Sequence, residues 1–215
     1  MEDFTISQRL YGLLKDRLAD FRKGDLYVFA GRPGMGKTTV LLNLLQAMMN
    51  QDRVLYLQTE KNYGDEKLLA VSAQNNLPVT CKIYMDLHEL KTILRETSYD
   101  YIFIDCFQTM DRTEPADYAK ELKKMALIFN VGIFVSSALS RRTDRRRNHH
   151  PRKRDMTKCM CDSLWKYADE IIFLYRQQYY DKKAINNSIE LHFAKRNERC
   201  GINFDMLSQI WEKGT

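Results

Sequence analysis

Residues 31–38 read Gly31-Arg32-Pro33-Gly34-Met35-Gly36-Lys37-Thr38, which satisfies the pattern G-x-x-x-x-G-K-[ST] at every fixed position. No other stretch limits the fold so tightly. A loop whose backbone N–H groups must wrap around a polyphosphate cannot carry a Cβ atom everywhere, hence Gly31, Gly34 and Gly36. Lys37 supplies a point charge for the β and γ phosphates and Thr38 a hydroxyl ligand for Mg²⁺, while the helix that must follow points its positive end at the same anion. The flanks agree. Leu26-Tyr27-Val28-Phe29-Ala30 is an apolar, β-prone run, and the stretch from Thr39 to Met49 reads as a buried helix, so strand, glycine loop and helix stand in the required order.

A chain of 215 residues is most economically one domain with its own core. It is 44% hydrophobic and 29% charged, ordinary for a soluble globular protein. No apolar run approaches the roughly 18 residues a membrane helix needs, and Met1-Glu2-Asp3-Phe4 carries no signal-peptide pattern, which points to the cytoplasm and to no membrane partner. The five cysteines are odd in number and irregularly spaced, so reduced thiols fit better than a disulfide framework. The net charge of +6 is a local property: residues 141–154 hold Arg141, Arg142, Arg145, Arg146, Arg147, Arg152, Lys153 and Arg154 against the single acid Asp144. One loop, 141–160, is basic, and the rest of the chain is slightly acidic.

Before the P-loop, Ile6, Leu10, Leu13, Leu14, Leu18 and Phe21 fall at helical spacing, predicting an amphipathic helix over 6–21 within an N-terminal segment, 1–22. Its apolar stripe buries either on its own domain, 23–215, or on a neighbouring subunit. Arg53 to Glu60 reads as a strand with an acid at its C-terminal end, a helix covers about 64–76, residues 81–85 give a short strand, and Asp86 caps a helix to about Glu96. Tyr101-Ile102-Phe103-Ile104-Asp105 is a second landmark, four apolar residues running into an aspartate. A helix over 115–130 presents Ala119, Leu122, Met125, Ala126 and Phe129 on one face, followed by strands at 131–135, 170–175 and 188–195, a short helix at 164–168, a turn at Arg199-Cys200-Gly201 and a last strand at 202–207. Alternating strand and helix with runs this apolar predicts an α/β fold: a mostly parallel central sheet, helices on both faces, and an antiparallel C-terminal hairpin at the sheet edge.

Phosphoryl transfer needs a cradle, a metal, a group that orients water, and positive charge for the transition state. Ligands of open α/β sheets bind at the carboxyl ends of strands, which puts Asp105 beside Thr38 in the Mg²⁺ shell and aims Glu60 at the same crevice as a base. His149, His150, Cys159 and Cys161 are ligand types close in sequence, but their spacing matches no common zinc pattern. Trp211 reads as a packing residue, and Tyr179 and Tyr180, in a polar loop, as rings able to stack on a base or adenine, although exposed tyrosines usually do neither.

Several separate stretches, GDLYVFAGRPGMGKTT, VLYLQTE, YIFIDCFQTM, SALSRR, ADEIIFLYRQQYY and AKRNERCG, together resemble the C-terminal, RecA-like motor domain of DnaB-type replicative helicases over most of residues 23–210. The resemblance implies a RecA-like P-loop NTPase that binds ATP and Mg²⁺ through Gly31 to Thr39, with Glu60 as catalytic base, Asp105 as the Walker B acid, and Gln108 as the glutamine three residues beyond it. It implies that Arg196, followed by Asn197, reaches the γ-phosphate of the next subunit, and hence a homo-hexameric ring with ATP between subunits, self-associating through Arg196 and the N-terminal helix. The basic residues of 141–154 would then face a central channel and track single-stranded DNA without sequence preference; a charge run is otherwise a solvated, mobile loop. Helicase or replisome proteins are the further partners implied.

The sequence also departs from that family. Where the family reads S-Q-L-N-R, this chain has Ser137-Ala138-Leu139-Ser140-Arg141, so a phosphate-sensing glutamine is replaced by Ala138. The family's DNA-binding loop is replaced by Asp155-Met156-Thr157-Lys158-Cys159-Met160, the chain is one residue shorter around Arg196, and the family's helical N-terminal domain has no counterpart in the sequence. The expected function is an ATP-dependent DNA helicase or translocase motor; the competing one is an ATP-binding paralogue that acts as an adaptor or regulator without unwinding.

Overall fold

The structure is a computed structural model that describes residues 2–18, 20–49, 52–58, 79–83, 86–107, 118–156, 162–184 and 187–203. In chain order the elements are α1 (Glu2–Leu18), β1 (Leu26–Gly31), α2 (Lys37–Met48), β2 (Val54–Gln58), β3 (Val79–Ile83), α3 (Leu87–Glu96), β4 (Tyr101–Asp105), α4 (Tyr118–Phe129), β5 (Gly132–Ala138), α5 (Asp162–Tyr167), β6 (Glu170–Tyr175), α6 (Gln177–Tyr180), β7 (Ser188–Phe193) and β8 (Glu198–Asn203). Two 3₁₀ turns, Arg141–Arg145 and Lys153–Asp155, lie between β5 and α5. The strands form one sheet in the order β3-β2-β4-β5-β1-β6-β7-β8. All pairs from β3 to β6 are parallel, and β7 and β8 are added antiparallel.

Strand alternation divides the core into two layers. Leu26, Val28, Leu55, Ile102, Ile133 and Ile171 face one side, where Leu90 and Ile93 of α3, Leu122 and Met125 of α4, and Leu164 of α5 cover them. Tyr27, Phe29, Tyr56, Phe103 and Phe134 face the other, under Leu10, Leu14 and Leu18 of α1 and Leu41, Leu44 and Leu45 of α2. Phe134 is the hub of that second layer. It stacks on Phe103 with centroids 4.6 Å apart and on Tyr27 at 5.2 Å, and meets Phe21 edge-on at 5.1 Å.

The N-terminal helix packs on its own chain. Besides its leucines, Ser7 Oγ lies 2.9 Å from Asn43 Oδ1 and 2.8 Å from Gln46 Oε1, and Gln8 Nε2 donates to Ala47 O at 3.0 Å. The helix ends at Leu18, short of the expected Phe21. Asp20 takes a left-handed φ of 85° and its N–H returns to Lys15 O, so the chain turns and drops Phe21 into the aromatic layer.

Asp86 caps α3 by accepting from Glu89 N–H at 2.7 Å, as its position predicts. The last hairpin differs from expectation. Its turn is residues 194–197, with Asn197 at φ 58°, and Gly201 lies within β8 opposite Glu190. Asparagine, where glycine is expected, supplies the left-handed residue. The expected helix at 64–76, the residues beyond Asn203 and Trp211 lie outside the described residues.

Phe134 is fully buried at the centre of five rings, so Phe134→Ala should lower unfolding free energy by about 3–5 kcal/mol. Urea denaturation measures it; a loss below about 1 kcal/mol would show that the aromatic layer can close over the gap.

Candidate functional site

Strand β1 delivers its loop between β5 and β6, at the edge where the parallel strands end. Gly34 and Gly36 have φ of 78° and 86°. These left-handed values turn successive N–H groups into one concavity, and Gly36 stands at the N-terminus of α2, whose first turn holds no acid. A Cβ at Gly34 would lie 2.8 Å from Cε2 of Tyr179, so that ring closes against the loop. Met35 turns its side chain into the core and holds the loop from below, whereas Pro33 is exposed and Lys37, Thr38 and Thr39 are half-buried at the mouth. Lys37 Nζ is 3.3 Å from Arg32 O. Thr39 O accepts from Asn43 Nδ2 at 2.8 Å, tying the first turn of α2 to the helix body.

Asp105 ends β4, two strands from β1 and on the same edge. It is 5% exposed. Ser136 Oγ donates to its Oδ1, and Tyr56 OH lies 3.4 Å from its Oδ2, so neighbouring strands orient the carboxylate. Sequence reasoning missed Ser136 and Tyr56; a serine pair at the end of the apolar run in β5 is the signal that could have found the first. The register pairs Asp105 with Gln58, the last residue of β2. Glu60 and Gln108 lie outside the described residues.

Arg196 sits elsewhere. It occupies the β7–β8 turn beside Glu170, at the start of β6 and the N-terminal edge of the parallel strands. With β1 six residues long, about 20 Å of strand separates that edge from the P-loop. Its guanidinium donates to Arg17 O at 2.9 Å, lies 3.4 Å from Leu18 O, and pairs with Glu170 Oε2 at 3.3 Å. Next to it, Lys195 Nζ donates to Ala168 O, and burial draws this ammonium below its usual value despite Asp169 and Glu170 nearby.

Residues 141–156 of the basic segment fold around Asp155. This carboxylate is 1% exposed. It accepts two bonds from Arg146, at 2.9 and 2.8 Å, and one from Arg152 N–H at 2.8 Å, while Arg146 also donates to His150 O. His149 stacks on Tyr180 and His150 packs on Tyr175, each at 3.9 Å between centroids, and Thr143 and Pro151 are buried. Cys159 and Cys161 lie outside the described residues. Arg146 thus faces inward as a strut, whereas Arg141, Arg142, Arg145, Arg147, Arg152, Lys153 and Arg154 are exposed. Arg142 and Arg154 line a cavity floored by Arg146 and Asp155, and Lys153 lies 4.7 Å over the Trp165 ring.

Two further arginine contacts involve the P-loop itself. Arg32 forks onto Asp144 and Arg176 Nη1 donates to Gly34 O at 3.2 Å. Burial would raise the Asp144 carboxyl, but hydrogen bonds from Arg32 and Tyr180 outweigh it and hold the group below the ordinary carboxylate value.

A glycine loop closing β1 and a buried aspartate ending β4, in a sheet of this order, define a P-loop NTPase of RecA-like build. The chain belongs to the DnaB-like helicase C terminal domain family, whose model matches residues 9–79 and 65–206. It is 25% identical to the replicative DNA helicase DnaB of Mycoplasma pneumoniae, over 88% of this chain and 52% of that protein. It is 29% identical to the replicative DNA helicase DnaC of Bacillus subtilis, over 84% of this chain and 50% of that one. The chain therefore spans about half the length of these curated relatives. Among solved structures, an isolated ATPase domain superposes with a TM-score of 0.74 at 19% identity, covering 92% of this chain and 87% of that one. A DnaB-like replicative helicase, solved in a study of its interactions with primase, superposes at 0.72 and 19% identity, over 89% and 57%. Among the described residues no helix is long and apolar enough to cross a membrane.

Arg146→Ala leaves the buried Asp155 charge unpaired, which should cost about 3–5 kcal/mol. Arg147→Ala, an exposed neighbour, should leave the thermal midpoint unchanged. Equal midpoints for the two variants would remove Arg146 from its structural role.

Proposed function

We propose that this chain is an ATP-hydrolysing motor domain whose turnover drives movement along single-stranded DNA, acting in the cytoplasm as a subunit of a homo-hexameric ring. One observation carries the reading: the P-loop and Asp105 gather at one edge of the sheet, and Arg196 stands at the opposite edge. An arginine across the sheet from its own loop has no route to its own nucleotide. It suits the γ-phosphate of a neighbouring copy, with nucleotide between subunits. The relatives named as replicative helicases support the same reading.

The cradle's geometry supports this reading. Two left-handed glycines and a helix N-terminus without acids present N–H donors to an anion, Lys37 stands at the mouth, and Arg176 holds the loop through Gly34 O. In this assignment the loop from Gly31 through Arg32, Pro33, Gly34, Met35 and Gly36 to Thr39 binds the phosphates, and Thr38 and Asp105 would hold Mg²⁺. Magnesium would supply charge neutralisation across the phosphate oxygens. Ser136 and Tyr56 keep the Asp105 carboxylate turned for that task. Glu60, two residues beyond the end of β2, orients the attacking water, Gln108 follows Asp105 at the nucleotide, and Arg196 of the adjacent copy offsets the developing charge. The seven exposed basic residues of 141–154 contact the DNA backbone, as point charges that track phosphates irrespective of sequence. Arg146, although part of the same run, serves by holding their segment in place.

Lys37→Ala should abolish nucleotide binding, and Glu60→Gln should keep binding and stop turnover; equal turnover in Glu60→Gln would take that residue out of the mechanism. Mixing Glu60→Gln with Arg196→Ala should recover part of the activity that each lacks alone, because some interfaces then join an intact base to an intact finger; no recovery would exclude a finger acting in trans. Steady-state ATP hydrolysis should rise with a long single-stranded oligonucleotide and lose that rise between about 50 and 200 mM salt. Tight nucleotide binding with slow, unstimulated turnover would overturn the motor reading.

A further inference from the structure

The basic segment meets the P-loop through one carboxylate. Arg32 commits its guanidinium to the residues that follow β5. Nε lies 3.1 and 3.0 Å from the two Asp144 oxygens, Nη2 2.7 Å from Oδ2, and Nη1 2.9 Å from Leu139 O. Only 12% of the Arg32 side chain is exposed, so it acts as a strut and not as a surface charge. Tyr180 OH shares the same carboxylate at 2.8 Å, and its ring stacks on His149 from the middle of the basic segment. At its other end Arg32 offers its backbone carbonyl to Lys37 Nζ. One residue of the P-loop therefore touches the phosphate-binding ammonium with its backbone and the basic segment with its side chain.

An anion in the cradle attracts the Lys37 ammonium and alters its contact with Arg32 O. A bidentate Arg–carboxylate fork resists independent movement of its partners better than a single contact does. Displacement of Arg32 thus passes to the turn Arg141–Arg145, which holds Asp144 and presents Arg141, Arg142 and Arg145 to solvent.

The geometry points to Asp144 as a positioning residue that couples occupancy of the phosphate-binding loop to the placement of the basic turn, through the Arg32–Asp144–Tyr180 contact. This rests on the proposed nucleotide site and assigns to it the residue that passes its state to the DNA-contacting surface.

The arginines of the turn are themselves tryptic sites, so limited trypsin digestion of the whole chain reads the turn without any DNA. With Mg²⁺ and a non-hydrolysable ATP analogue, cleavage at Arg141 to Arg147 in the wild type should change about threefold or more in rate, since cleavage follows local opening. Asp144→Ala should bind the analogue and lose that response. Asp144→Asn, which keeps an acceptor for Tyr180 and loses the charge, should weaken it, and Asp144→Glu should restore most of it. In hydrolysis assays Asp144→Ala should keep basal turnover and lose stimulation by the oligonucleotide. A wild type that binds the analogue without altered cleavage, or an alanine or asparagine variant that responds as the wild type does, overturns the coupling and leaves the nucleotide site standing. A wild type that binds no analogue in a parallel titration overturns both. The asparagine variant keeps the test decisive where alanine fails to fold.

Discussion

Parallel pairing is the constraint on which the rest depends. Six neighbouring strands, β3, β2, β4, β5, β1 and β6, run the same way, so all their carboxyl ends gather at one edge. The loop leaving β1 and the carboxylate ending β4 then stand at the same edge, although Thr38 and Asp105 are far apart in the sequence. The antiparallel hairpin reverses this arrangement. Because β7 runs back along β6, its turn carries Arg196 to the edge where the parallel strands begin. One sheet thus presents a glycine-loop edge and an arginine-bearing edge, the pairing that the proposed ring of identical copies needs.

Burial decides how each charge is used. Asp155, almost without exposure, collects Arg146 and the Arg152 N–H, so a stretch rich in arginine folds back on a buried acid instead of repelling itself into solvent. The histidines add ring contacts to Tyr175 and Tyr180, which fasten the segment to the β6–α6 region. Exposed neighbours on the same segment are then anchored through the buried pair, which would lower the entropy lost if they bind the proposed DNA backbone.

Much of the fold was legible from pattern. The P-loop glycines, the apolar run ending in Asp105, the Asp86 cap and the helical face of Ala119, Leu122, Met125 and Ala126 all express local geometry, and each appears where periodicity and residue type place it. The details that pattern placed differently or left open are those in which a residue had alternatives. A left-handed turn accepts asparagine as well as glycine, which moved the last hairpin turn to Asn197. The stripe of α1 suited either its own domain or another subunit until Ser7 and Gln8 met α2.

The sequence alone determined the α/β class, the glycine loop and the strand carrying Asp105, because glycine placement and hydrophobic period act over a few neighbouring residues. Tertiary structure decided which charges became struts and which stayed exposed. Arg146 and Arg147 are adjacent and alike in sequence, yet only the first points at Asp155. It also decided that Arg32, inside the glycine-loop motif, turns its side chain away to hold Asp144. Such choices depend on which distant acid the fold brings within hydrogen-bond reach, and that distance is set by packing of the whole sheet and not by any local run of residues.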